Sequence, residues 1–158
     1  MGVRRAGIAD LNTIYMMGFD AWGEGRTQAA YLELCRGSAK YAKGQWFVRD
    51  AEQQSVSSLI LYADEFDLPA GCCGIGSVAT APEHRGKGHA SRLVTTVVGE
   101  LEASPTRGVY LFSEIGSDFY AKLGFEPVRI EQPYAECICM VRPFRDPETL
   151  LSTVPTYF

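Results

Sequence analysis

A chain of 158 residues, 46% hydrophobic and 22% charged, has the size and balance of one folded domain, residues 1–158, with a substantial core. Its formal net charge of −4 argues against a nucleic-acid partner, and no apolar run approaches the length of a membrane span. The opening MGVRRAGIAD lacks both the apolar core of a secretion signal and the Ser or Thr of a myristoylation site, so the expected location is cytoplasmic.

In chain order, a first strand is predicted over Val3 to Ala6, followed by a helix capped by Asp10. That helix shows Leu11, Ile14, Tyr15, Phe19 and Trp22 on one face and breaks at Gly23-Glu24-Gly25. A second helix is predicted over Thr27 to Ser38, with Ala30, Tyr31, Leu34 and Cys35 inward. Trp46 to Asp50 and Val56 to Asp64 read as a hairpin around Ala51–Ser55, and Cys72 to Thr80 as the next strand. Asp64, Glu65 and Asp67, just before the turn at Pro69-Ala70-Gly71, read as a solvated turn. A strand at Val109–Phe112 leads to a short helix begun by Ser117 and closed by Gly124, with Phe119 and Leu123 on its buried face and Tyr120 one residue round. Strands over Phe125–Ile130 and Ala135–Val141 complete the sheet. The tail from Pro143 to Phe158 offers apolar residues to the body or to a second copy of the chain, a homodimer. Five cysteines without Cys-x-x-Cys spacing read as reduced, mostly buried thiols and exclude a zinc site.

The stretch Gly74 to Ala103 organises the rest. Pro82 ends a strand, Arg85-Gly86-Lys87-Gly88-His89-Ala90 forms a glycine turn, and a helix follows. That helix carries Ala90, Leu93, Val94, Val97, Val98 and Leu101 as one apolar stripe. A helix begun straight from such a turn points several unpaired N–H groups and about half a positive charge at one spot, a ready site for phosphate. A Walker A loop is excluded: Ala81 stands where its first glycine belongs and Gly88 where its Ser or Thr belongs. A dinucleotide fingerprint over Gly74–Ala79 is excluded too, because those residues lie inside the strand.

The spacing of Arg85, Gly88 and Ala90 resembles the acyl-CoA pyrophosphate loop of the GCN5-related N-acetyltransferases, the GNAT superfamily. About thirty residues on, Asp118-Phe119-Tyr120-Ala121-Lys122-Leu123-Gly124-Phe125 resembles that family's later "FYxKLGF" segment. The resemblance covers roughly residues 3–141. It implies an α/β (α+β) fold: a mixed sheet of six to seven strands, the fourth and fifth splayed, flanked by about four helices. The phrase LFSEIGSDFYAKLGF, with AWG upstream, is also partly similar to the fungal lysine N6-acetyltransferase group.

The resemblance implies acetyl-CoA as donor and an amine of a small molecule or peptide as acceptor. Amides of Gly86, Gly88, His89 and Ala90 would hold the pyrophosphate, with Arg85 and Lys87 nearby. The backbone of Val78, Ala79 and Thr80 would pair with the pantetheine arm. Tyr120 matches the family's general acid, and a tyrosine pKa near about 10 keeps its proton at neutral pH. Ser113 stands where many relatives carry an asparagine that contacts coenzyme A. No carboxylate lies between Cys72 and Thr80, which leaves Glu114 as the expected base and Glu24 as its rival. Trp22 and Glu24, with Asp20 and Arg26, lie where the family places acceptor contacts. The competing reading is an acyl-CoA-binding sensor or docking module that has lost its chemistry, and turnover with an amine separates the two.

Overall fold

The computed structural model describes residues 2–158. Its strands are β1 (Gly2–Arg5), β2 (Gln45–Ala51), β3 (Gln54–Ala63), β4 (Cys72–Thr80), β5 (Gly108–Ser113), β6 (Glu126–Pro127) and β7 (Ile138–Pro143). Its helices are α1 (Leu11–Met17), α2 (Phe19–Trp22), α3 (Gln28–Arg36), α4 (His89–Glu102), α5 (Asp118–Ala121) and α6 (Pro147–Leu151). The strands form one mixed sheet ordered β1-β2-β3-β4-β5-β7-β6, an α/β fold. Only β4 and β5 run parallel among the described pairs; their register spans Cys72↔Gly108 to Ile75↔Leu111, and β4 continues beyond it to Thr80. The residues gather into two compact units. One holds residues up to Leu61 with Ser77–Thr96, the other Tyr62–Gly76 with Val97–Phe158.

In the first unit β1, β2 and β3 pair antiparallel. The β2–β3 hairpin is tighter than the sequence predicts. Ala51 pairs with Gln54, and Glu52 (φ 53°) and Gln53 (φ 65°) alone make the turn, both left-handed as the sheet's twist favours. Arg4 on β1 ties this edge together by donating to Asp10 and Asp50, and it holds both carboxyl pKa values below the ordinary range. Asp10 therefore does not cap α1 as expected; its carboxylate accepts from Arg4 and from the Gly7 N–H instead. The first predicted helix is divided at Gly18, whose backbone (φ −100°, ψ 2°) leaves the helical range, and the Trp22 indole folds back onto that residue: a Cβ there would sit 2.0 Å from Trp22 Cε3. Thr27 caps α3 through the Ala30 N–H. On α3, Tyr31 and Cys35 are buried as expected, but Ala30 and Leu34 face solvent.

In the second unit β5 pairs with β4 on one side and β7 on the other. Buried Tyr110 donates from its hydroxyl to the Leu150 carbonyl at 2.6 Å, fastening α6 to the sheet. The tail thus packs on its own unit, with Leu150, Leu151 and Phe158 buried. The sixth strand is only two residues long: Pro127 has no N–H to give, and the Arg129 N–H turns to the Leu151 carbonyl. The last strand starts at Ile138 rather than Ala135. There Gln132 takes the neighbour's place, accepting from the Cys139 N–H and donating to its carbonyl. On α5 Tyr120 is the buried residue, whereas Phe119 and Leu123 are half-buried, the reverse of the helical-wheel expectation. Ser117 makes no side-chain cap, but Gly124 closes the turn at φ +90° as predicted. Asp67 accepts from Thr156 Oγ1 at 2.6 Å, so one carboxylate of the predicted solvated turn holds the tail.

All five cysteines are free thiols, and only Cys137 is not buried. Of the apolar stripe of α4, Leu93, Val94, Val97 and Val98 are at most 1% exposed, whereas Ala90 and Leu101 at its ends are half-buried. Burying each such side chain contributes roughly 1.5–3 kcal/mol, which makes α4 a firm base for the bend before it.

Candidate active site

Between β4 and α4 the chain makes one 3-10 turn at Pro82–His84 and then a tight bend. Gly86 (φ +77°) and Gly88 (φ +80°) adopt left-handed angles that a side chain strongly disfavours. From Gly86 to Ser91 no backbone N–H finds an acceptor among the described residues; the first α4 bond runs from Arg92 N–H to the Gly88 carbonyl at 3.1 Å. The bend therefore exposes a cluster of converging donors at the positive end of a 14-residue helix. Nothing lies within 4 Å of the place a Cβ would take on Gly86.

The side chains around the bend divide their roles. Lys87 is exposed and makes no ion pair among the described residues. Arg92, absent from the sequence-based candidates, reaches back to the Lys87 carbonyl at 3.1 Å and holds the bend from the helix side. Its signal was there to read, one helical turn past Gly88. Arg85 turns its guanidinium away from the bend. It makes a bidentate pair with Asp20 on α2 (2.6 and 2.8 Å) and also donates to the Thr80 and Met17 carbonyls. The Asp20 carboxyl is correspondingly held below the usual range.

His89 opens α4 and is buried, and its Nδ1 accepts from Arg49 Nε at 3.1 Å. Burial, then the charges of Arg49, Arg92, His84 and Lys87, hold its pKa below the ordinary value and keep the ring neutral. His84, also buried, takes the Gln54 amide at Nε2 (2.9 Å), while its Nδ1 finds no partner among the described residues.

The outer half of β4 leads into this bend. Ser77 sits at φ +48°, a left-handed residue inside a strand, which re-aims the backbone that follows. Val78, Ala79 and Thr80 are half-buried. The Ala79 carbonyl accepts from Ser57 Oγ at 2.8 Å, and Thr80 Oγ1 lies 3.0 Å from the same hydroxyl.

In the other unit Tyr120 is 8% exposed, framed by Phe119 and Phe125 with ring centroids 5.0 and 6.0 Å away. Burial alone pushes its pKa up to about 12, and its hydroxyl donates to no group among the described residues. Ser113 is buried, and its hydroxyl is spent on its own loop, donating to the Gly116 carbonyl and accepting from the Ile115 N–H. The next residue, Glu114, accepts from the Tyr157 hydroxyl. Of the earlier acceptor contacts, Trp22 lies half-buried on Gly18, and exposed Glu24 pairs with Arg26 at 3.1 Å.

A mixed sheet with one parallel pair at its centre, a left-handed residue in the fourth strand and an amide-lined bend before the long helix define an α/β fold with a ready anion-binding site. The family model "Acetyltransferase (GNAT) domain" matches residues 3–128, and the chain belongs to that family. Solved structures with the same fold include the PaiA N-acetyltransferase of Thermoplasma acidophilum in complex with coenzyme A. It is 14% identical, with TM-score 0.65 over 89% of this chain and 97% of that one. The GNAT family N-acetyltransferase YhbS of Escherichia coli in complex with CoA is 17% identical, with TM-score 0.66 over 98% of this chain and 86% of that one. A GNAT family acetyltransferase of Brucella melitensis in complex with acetyl-CoA is 19% identical, with TM-score 0.61 over 87% and 84%. No curated protein matches the sequence significantly. Among the described residues no helix is long and apolar enough to cross a membrane.

Proposed function

We propose that this acetyltransferase moves the acetyl group of acetyl-CoA directly to a primary amine of a small molecule or peptide, in the cytoplasm. The observation that carries the reading is the run of unpaired amides from Gly86 to Ser91 at the start of α4. A diphosphate fits them in charge, in donor number and in the open surface over Gly86. The complexes of the Thermoplasma, Escherichia and Brucella proteins with coenzyme A or acetyl-CoA support the same donor.

Acetyl-CoA supplies an activated acyl thioester. The chain's own residues bind, orient and move protons around it. Amides of Gly86, Lys87, Gly88, His89 and Ala90 hold the diphosphate, with Lys87 and Arg92 adding charge. Arg85 acts at one remove, fixing the bend against Asp20 and Thr80. The backbone of Val78, Ala79 and Thr80 pairs with the amide-bearing arm. Tyr120, buried and protonated, gives its proton to the departing thiolate, and Glu114 takes a proton from the incoming amine through water. Direct transfer is favoured over a cysteine-bound acyl group, because burial pushes the thiols of Cys35, Cys72, Cys73 and Cys139 up, away from the nucleophilic thiolate.

The test is release of free thiol from acetyl-CoA across a panel of amines. Amine-stimulated release, lost in Tyr120→Phe while acetyl-CoA still raises the melting temperature, is the expected result. Tight acetyl-CoA binding with no amine-stimulated release across the panel would favour the sensor reading instead.

A further inference from the structure

A cavity of about 660 Å³ opens on the unit that carries Tyr120. Glu114 contributes to it from the loop after β5, Tyr134, Glu136 and Cys137 from the connection before β7, and Tyr157 from the segment after α6. The cavity has one sign of charge. The Cys137 thiol is pushed up by burial and then by Glu114 and Glu136, so both carboxylates act on the same space. No lysine or arginine lines it, and neither glutamate has an ion pair among the described residues.

The aromatic wall is held in place before any ligand arrives. The Tyr134 and Tyr157 rings lie 5.7 Å apart at an angle of 54°, and Phe112 meets both edge-on at 5.5 and 5.2 Å. Tyr134 Oη accepts from the Tyr157 N–H at 3.1 Å, and the Tyr157 hydroxyl donates to Glu114, which fixes one carboxylate beside the rings. Electron-rich ring faces beside carboxylates favour an organic cation, which sheds water more easily than a metal ion. A metal is the poorer occupant: no three His, Cys, Asp or Glu side chains converge on a metal position among the described residues. An anionic or neutral apolar ligand would leave the two carboxylates uncompensated.

We infer that this cavity binds an organic ammonium group. Resting on the acetyl-transfer reading above, the acceptor is then a diamine-type molecule: one amine is acetylated, its proton passing to Glu114, while a second, still protonated, sits against Glu136 and the rings of Tyr134 and Tyr157. The cavity's own affinity for the ammonium does not depend on that reading.

Calorimetric titration of the full chain, without acetyl-CoA, with cadaverine, pentanol and hexanoate tests the assignment. Cadaverine should bind at least about tenfold more tightly than pentanol, hexanoate should not bind, and added salt should weaken cadaverine. Glu136→Gln, at an exposed position, should fold normally and lose about tenfold in cadaverine affinity, and Tyr134→Leu should weaken it as well. Equal affinity for cadaverine and pentanol, or cadaverine binding unchanged in Glu136→Gln, overturns the proposal. Adding acetyl-CoA separates the two readings. Tight cadaverine binding without thiol release keeps the ammonium cavity and removes the transfer chemistry; equally efficient release with pentylamine keeps the chemistry and removes the cavity's role.

Discussion

The ring of Phe158 lies so close over Gly74 of β4 that a Cβ built there would stand 2.5 Å from Phe158 Cζ. Tyr62, Phe66 and Phe112 close around the same ring at centroid distances of 5.1–5.7 Å. Gly74→Ala should therefore cost about 1–3 kcal/mol through overpacking. Phe158→Ala should cost about 3–5 kcal/mol, less if the tail frays instead of leaving a cavity. The double variant should lose less than the sum, because removing the ring relieves the clash. Urea unfolding of the three variants measures this coupling, and strict additivity would show that the two residues do not share one space.

Tyr120 supplies a second expectation, on pH. A tyrosine acting as acid works only while protonated, and burial has pushed this one up to about 12. The rate should therefore show no alkaline decline from this group up to about pH 10. Tyr120→Phe should lower kcat by roughly a hundred- to ten-thousand-fold with little change in acetyl-CoA binding. Steady-state profiles of both proteins check it.

At the bend, Gly88→Ala places a side chain at φ +80°, costing about 1–2 kcal/mol in the left-handed region. The loss should appear mainly as a smaller thermal shift on adding acetyl-CoA, since the amides no longer converge. Lys87→Ala, which keeps every amide, should reduce that shift far less, and thermal-shift titrations compare the two directly.

His89 makes stability depend on pH in one direction. Its folded pKa lies below its unfolded value of about 6.5, chiefly through burial and then Arg49. Its contribution is therefore present above about pH 6.5 and is lost as the pH falls through the folded value. His89→Gln keeps an acceptor for Arg49 and carries no titrating ring, so melting temperature should fall less steeply between about pH 7 and 5 than in the parent. Identical slopes would show that His89 is not the group that titrates.

What could be read beforehand followed from periodicity and from glycine. The β4–bend–α4 unit was legible because Pro82, Gly86 and Gly88 punctuate it and Leu93 to Val98 repeat at helical spacing. Gly124 was legible as a helix stop for the same reason. The failures lie where a distant partner overrides a local preference. Asp10 had the residue type of a cap, but Arg4 and the Gly7 amide claim its carboxylate. Phe119 outranks Tyr120 on any wheel, yet tertiary packing buries the tyrosine. The β6–β7 region defeated strand patterning because Gln132 and Leu151 accept amide bonds that a neighbouring strand would otherwise take. Arg85 stands next to the bend in sequence, but nothing local announced that Asp20, 65 positions away, holds its guanidinium.

The amide-lined bend has a consequence for how such a chain changes over time. Under the proposed function, donor recognition is written in main-chain angles at Gly86 and Gly88, so almost every residue type supplies the same N–H at Lys87, His89 or Ala90. Drift can then rework the neighbouring surface, and with it the choice of acceptor, while the grip on the donor stays intact. Proteins that share only 14–19% of their residues with this chain have the same fold.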